Sequence, residues 1–99
     1  MAETIDEITI NYEEDGILIV KELDKEVLTK GAWTTIVFRF QQWDRAKEVY
    51  SGDKYTIRRY RKMKGNYTPQ SKFNISSADQ AGKIVTTLTK WLEAGENAE

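Results

Sequence analysis

Residues 33–44 read WTTIVFRFQQWD, and their alternation decides what kind of fold the chain adopts. The even positions carry Ile36, Phe38 and Phe40. The odd positions carry Trp33, Thr35, Val37, Arg39, Gln41 and Trp43. Successive side chains of a strand point to opposite faces, so this spacing predicts a strand with one apolar face and one mixed face of rings and cations. A second strand is expected over Lys54 to Met63, with Tyr55 and Ile57 on one face and Arg58, Tyr60 and Lys62 on the other. Lys64-Gly65-Asn66 reads as a turn. Tyr67 to Ile75 reads as the last strand, with Pro69 at a bulge or an edge because it has no donor for the ladder.

Working outward toward the N-terminus, Ile17 to Val20 is a short apolar run, mostly β-branched and bounded by Gly16, which suits a buried strand. Asp15-Gly16 is a hairpin signal. Lys21 to Glu26, KELDKE, leaves two readings open: a turn, or a bulge in one longer strand that runs to Thr29. Residues 44–53 read as a loop with room for one helical turn. From Ser76 the period changes: Ala78, Ala81, Ile84, Val85, Leu88, Trp91 and Leu92 recur at three- and four-residue steps, the stripe of an amphipathic helix. Ser76 and Ser77 are both suitable N-caps, each with Asp79 or Gln80 three residues on. Gly95 is the expected stop, with 95–99 a frayed tail. Gly82 inside the helix costs up to ~1 kcal/mol relative to alanine, which a close helix approach would explain. The expectation is an α+β domain: an antiparallel sheet of four, or five, strands followed by one C-terminal helix, ββββα. Residues 16–94 form the domain and 1–15 an acidic arm or extra strand. If Ile36, Phe38, Phe40, Tyr55 and Ile57 meet the helix stripe, then Trp33, Arg39, Gln41, Trp43, Arg58, Tyr60 and Lys62 share the opposite face.

Composition narrows the chemistry. The chain has 99 residues, no cysteine and no histidine. Disulfides, zinc–thiolate sites and the commonest general base and metal ligand are therefore excluded. No catalytic residue, metal or cofactor is expected, and an enzyme ranks last. No apolar run approaches the ~20 residues that span a bilayer, and the N-terminus is acidic, so the expectation is a soluble, intracellular protein without membrane contact.

The net charge of −1 conceals a strong polarity along the chain. Residues 1–29 hold nine acids and two lysines, whereas residues 30–72 hold eleven bases and three acids. Within 54–72 there are seven bases and no acid. Cations interleaved with flat rings match single-stranded nucleic acid, since bases stack on aromatic faces and cations follow phosphates. The bland alternative is a solvated face with tyrosines packed across strands. Trp33 and Trp43 are open to a core reading as well as a surface one, while Trp91 reads as core or dimer interface. For the acidic segment three readings stand: a solubilising arm, a cover that folds over the basic sheet and competes with nucleic acid, or extra pairing along a sheet edge.

The order of strands, KYTIRRY, turn, SKFNIS and SSADQAGKIV resembles the positive-cofactor-four family of transcriptional coactivators and its small bacterial and phage relatives. Ile57-Arg58-Arg59-Tyr60, Gly65, Lys72 and Ile75-Ser76 stand at the matching places, over about residues 27 to 93. The resemblance implies a curved four-stranded antiparallel sheet plus a helix, paired as a homodimer through the helices, with single-stranded DNA across the concave sheet faces and little sequence preference. It also implies Arg58, Tyr60 and Lys72 as DNA contacts. Alternation adds Arg39, Trp43 and Lys62. TPQSKFNIS departs from the family in lacking glycine beside its basic residue. Other partners remain open: RNA, or an acidic protein docked on the basic sheet.

Overall fold

A computed structural model describes residues 2–97. Its strands are β1 (Tyr12–Glu14), β2 (Ile17–Thr29), β3 (Trp33–Asp44), β4 (Val49–Tyr50), β5 (Lys54–Met63) and β6 (Asn66–Ile75), followed by helix α1 (Ala78–Asn97). All pairings are antiparallel, in the order β1-β2-β3-β5-β6, with β4 paired to the end of β3. The expected sheet followed by one helix is what the chain forms. Two tight turns have left-handed backbone at both central residues: Asp15 and Gly16 (φ 53° and 78°), and Lys64 and Gly65 (φ 52° and 82°). That geometry matches the twist of the flanking strands.

KELDKE belongs to one long strand. β2 absorbs two irregularities, between Glu22 and Asp24 and between Val27 and Thr29, and so stays paired to β3. Residues 45–48 turn without forming a helix, and Val49–Tyr50 adds a short strand. Pro69 stands where β5–β6 shifts register, on an edge strand, as its missing donor requires. Ser77 is the N-cap of α1: its hydroxyl accepts from the Gln80 N–H at 3.1 Å, while the Gln80 carboxamide oxygen accepts from the Ser76 N–H at 2.9 Å. The helix continues through Gly95 to Asn97; residues 98–99 of the expected tail lie outside the described residues. A Cβ at Gly82 would meet nothing within 4 Å, so no close approach within the chain calls for glycine there.

Two expectations about packing are overturned. First, α1 does not cover the sheet. Val85, Leu88, Trp91 and Leu92 are 50–70% exposed, and the helix touches chiefly β6, the strand that it follows. The apolar face of β3 is covered instead by the N-terminal segment. Ile8 and Ile10 pack with Ile36, Phe38, Phe40, Tyr60 and Tyr67, and Ala2, Ile5, Val20 and Val27 close the rim. Of the three readings of the acidic segment, residues 2–10 fold over the sheet and 12–14 pair along its edge.

Second, the face assigned to β5 is inverted. Thr34 pairs with Tyr60, Ile36 with Arg58 and Phe38 with Thr56, whereas Val37 pairs with Ile57 and Arg39 with Tyr55. Directly paired residues share a face, so Arg58, Tyr60 and Lys62 lie with the core row, and Tyr55 and Ile57 lie opposite. A slip of one residue exchanges the two faces of a strand. The residues KYTIRRYRKM declare a side only weakly, since each alternate row carries both a ring and cations and Ile57 tips the balance toward the wrong one.

Candidate nucleic-acid interface

The sheet face that no element covers is built from the odd positions of β3 and β5 and their neighbours on β6. Trp33 pairs with Arg61, Thr35 with Arg59, Val37 with Ile57 and Arg39 with Tyr55; Phe73 lies beside Ile57. Trp33 is 42% exposed and Phe73 54%, so both rings present accessible surface. The Arg59 guanidinium stands 4.4 Å from the Trp33 ring centroid and that of Arg61 stands 5.4 Å from it. Arginine planes held on an indole keep their outward N–H groups for an anion, and the contact contributes on the order of 0.5–1 kcal/mol at such an exposed site. Neither arginine meets a carboxylate among the described residues.

The other end of this face is more self-contained. Arg39 bonds Asp53 at 3.0 Å and approaches Asp24 at 4.0 Å, and Gln41 donates to Asp53 at 2.9 Å. The Gln41 amide and the Arg39 guanidinium together hold the Asp53 carboxyl below its ordinary range. Trp43 meets Tyr50 edge to face, with centroids 5.0 Å apart, and Lys21 lies 5.1 Å from the Tyr50 ring. Arg39 and Trp43 thus stand on the expected face, but each already has a partner. Their availability to a ligand is lower than that of Trp33, Arg59 and Arg61.

Arg58, Tyr60, Lys62 and Lys72 are on the covered side. Tyr60 is 5% exposed beneath the N-terminal segment, and burial pushes its phenol upward against the opposing effect of Arg58. A buried ring cannot accept a stacked base, so the expected stacking surface at Tyr60 is absent from this arrangement. Arg58 pairs with Lys72 across β5 and β6. Its Nε is buried without a hydrogen-bond partner, and a cavity of about 320 Å³ opens beside both cations. Lys62 sits 5.5 Å from the Tyr67 ring. The six expected contacts are therefore divided: Arg39 and Trp43 lie on the open face, and Arg58, Tyr60, Lys62 and Lys72 on the covered one.

Sequence reasoning overlooked Arg59, Arg61, Tyr55 and Phe73 as members of the open face. The signal that would have found them is the β3–β5 register, which no turn motif between the strands specifies. Among the described residues no cluster of metal-binding side chains occurs, and no helix is long and apolar enough to cross a membrane. Comparison with family models, curated proteins and solved structures returned no match.

Proposed function

We propose that the protein binds single-stranded DNA, with little sequence preference and without catalysis, on the uncovered face of its sheet. One observation carries this reading: an exposed indole flanked by two arginines that, among the described residues, meet no acid and lie on an uncovered face. Bases stack on Trp33 and Phe73 while Arg59, Arg61 and Lys21 follow the phosphates. A duplex hides its base faces and gains only the electrostatic part. The resemblance of Ile57-Arg58-Arg59-Tyr60 and Ile75-Ser76 to the positive-cofactor-four pattern supports the same class, although the contacts move from Arg58, Tyr60, Lys62 and Lys72 to the other side of the sheet. Arg39 and Trp43 form the far end of the path. An intracellular, nucleoid-associated setting follows from this reading.

Binding of a labelled 20-nucleotide oligo-dT is expected to resist an excess of equal-length duplex. With Arg59, Arg61 and Lys21 each meeting no carboxylate among the described residues, log K should fall with log salt at a slope of about −2, from roughly 0.7 per phosphate. Fluorescence anisotropy across a salt series checks both. A slope near zero, or equal competition by duplex, would sink this mechanism.

We also propose that the protein is a homodimer joined through α1. The apolar stripe of that helix is bare, and the radius of gyration, 16.2 Å, exceeds the ~13 Å of a compact chain of this length. Leu88→Asp with Trp91→Asp should give a monomer by light scattering while strand circular dichroism persists. A dimer that survives both changes would place the interface elsewhere.

A second reading has its own observation. Val37, Ile57 and Phe73 form an apolar row through the middle of the open face, which suits an acidic protein segment with apolar side chains. An acidic peptide that displaces oligo-dT at comparable concentration would favour it.

A further inference from the structure

Residues 2–7 cross the covered face from β2 to β6, and the way they are held differs from the way the next residues are held. Ile8 and Ile10 are 3% and 6% exposed within the core. Ahead of them Glu3, Thr4, Asp6 and Glu7 are exposed, and Ala2 and Ile5 are only half-buried. Beyond the packing of Ala2 and Ile5, the attachments of this leading piece are a few hydrogen bonds. The Ala2 carbonyl accepts from the Tyr67 N–H at 2.8 Å, and the Lys25 ammonium donates to the carbonyls of Ile5, Asp6 and Ile8 at 3.2, 3.1 and 2.7 Å. The piece also holds its own shape. Glu7 accepts from the Thr4 hydroxyl at 2.9 Å and from the N–H groups of Thr4 and Glu3 at 3.0 and 3.2 Å, closing a 3-10 turn at Ile5–Glu7. It can therefore lift as a unit about Ile8, uncovering Tyr67 while Ile8 and Ile10 stay in place over Ile36, Phe38 and Phe40.

What it covers has the chemistry of the open face. The segment and the sheet together line a cavity of about 690 Å³, to which the segment contributes Glu3 and Asp6, β2 contributes Lys25 and Glu26, and Lys30, Lys62 and Tyr67 complete the lining. Lys62 stands against the Tyr67 ring at 5.5 Å, a ring–cation unit like Trp33 with Arg59 on the opposite face. Tyr67 is 8% exposed because the core cluster includes it and Ala2 and Ile5 pack against that cluster. Glu3 and Asp6 form no ion pair among the described residues, so no fixed bond ties these carboxylates to the lysines that they face.

We propose that residues 2–7 are a detachable acidic strap, and that lifting it opens a second strip for single-stranded nucleic acid at Lys30, Lys62 and Tyr67. The proposal rests on the reading of the protein as a single-strand binder. Phosphates take the place of the strap carboxylates at the two lysines, and a base stacks on the uncovered Tyr67. The strap then sets a threshold: at low ligand one face binds, and a strand that displaces the strap engages both.

The test compares oligo-dT binding by the full chain and by a variant lacking residues 2–7, each verified as folded by thermal melting. The shortened chain should bind about tenfold tighter at low salt, with a slope steeper by about 1.4 as two lysines join. The gain should persist when Trp33→Ala has weakened the open face. Glu3→Gln with Asp6→Asn keeps the strap in place and should give a smaller gain, one that disappears with Trp33→Ala. If the shortened chain does not fold, Lys25→Met, which removes two attachments of the strap and one at its Ile8 pivot but no backbone, should shift affinity and slope in the same direction. Unchanged affinity and slope in a folded shortened chain, or an equal gain from the charge-only variant, overturns the strap while leaving the single-strand reading intact. Failure of the full and shortened chains alike to bind oligo-dT overturns that reading itself.

Discussion

Trp33→Ala is expected to weaken oligo-dT binding by about 5- to 150-fold, from the roughly 1–3 kcal/mol that one stacked base contributes. Stability should change little, because Trp33 is 42% exposed at the start of β3 and large losses come from buried sites. Arg59→Ala with Arg61→Ala should flatten the salt slope by about 1.4, since two phosphate contacts are lost. The two effects differ in kind. Removing the indole lowers affinity at every salt concentration, whereas removing the arginines lowers it most at low salt and makes the remainder less salt-sensitive. Anisotropy titrations at several ionic strengths separate them, and a melting curve shows whether either variant acts through folding. Unaltered binding by the triple variant would remove the open face from consideration and return attention to Arg58 and Lys72 beside their cavity.

Tyr60→Ala should act on folding and not on binding. The ring is 5% exposed among Ile8, Ile10, Phe38 and Tyr67, and truncating a buried aromatic side chain costs about 3–5 kcal/mol. A domain of this size is stable by only about 5–15 kcal/mol, so urea unfolding should shift to much lower concentration. Tyr60→Phe keeps the packing and should retain most of the stability. The phenol adds a pH signature. Burial raises its pKa in the folded chain above the ordinary 10.0, so its contribution is fully present below that value and is lost as pH rises through the folded one. Tyr60→Phe should therefore unfold less readily at alkaline pH than the natural chain. Equal stability of Tyr60→Ala and the natural chain, combined with lost binding, would mean that the ring belongs to the ligand surface after all.

The identity of the open face was half legible in the sequence. The alternation of WTTIVFRFQQWD placed Trp33, Arg39 and Trp43 together because Ile36, Phe38 and Phe40 leave one possible inner row. β5 offers no such row. Its even positions hold Thr56, Arg58 and Tyr60 and its odd positions Tyr55, Ile57, Arg59 and Arg61, so hydrophobicity favours the odd row through Ile57, the row that the structure turns to the open face. The register of the β3–β5 pairing makes the choice, and with it decides which arginines meet the open indole.

Local order was within reach of the sequence by itself. Asp15-Gly16 and Lys64-Gly65 specify tight turns through their left-handed backbone, Ser77 and Gln80 specify where the helix begins, and period two or period 3.6 separates strand from helix. Those are interactions between residues close in the chain. Only the tertiary structure decided what covers the apolar face. Two amphipathic candidates compete for it: the helix stripe, which is longer and more apolar, and the segment that contains Ile5, Ile8 and Ile10. The acidic segment takes the site because Lys25 ties its carbonyls and Glu22 accepts from the Thr9 hydroxyl and the Ile10 N–H at 2.8 and 3.2 Å. Those partners lie 12 to 20 residues away in sequence, and such pairings are expressed only when the sheet has formed.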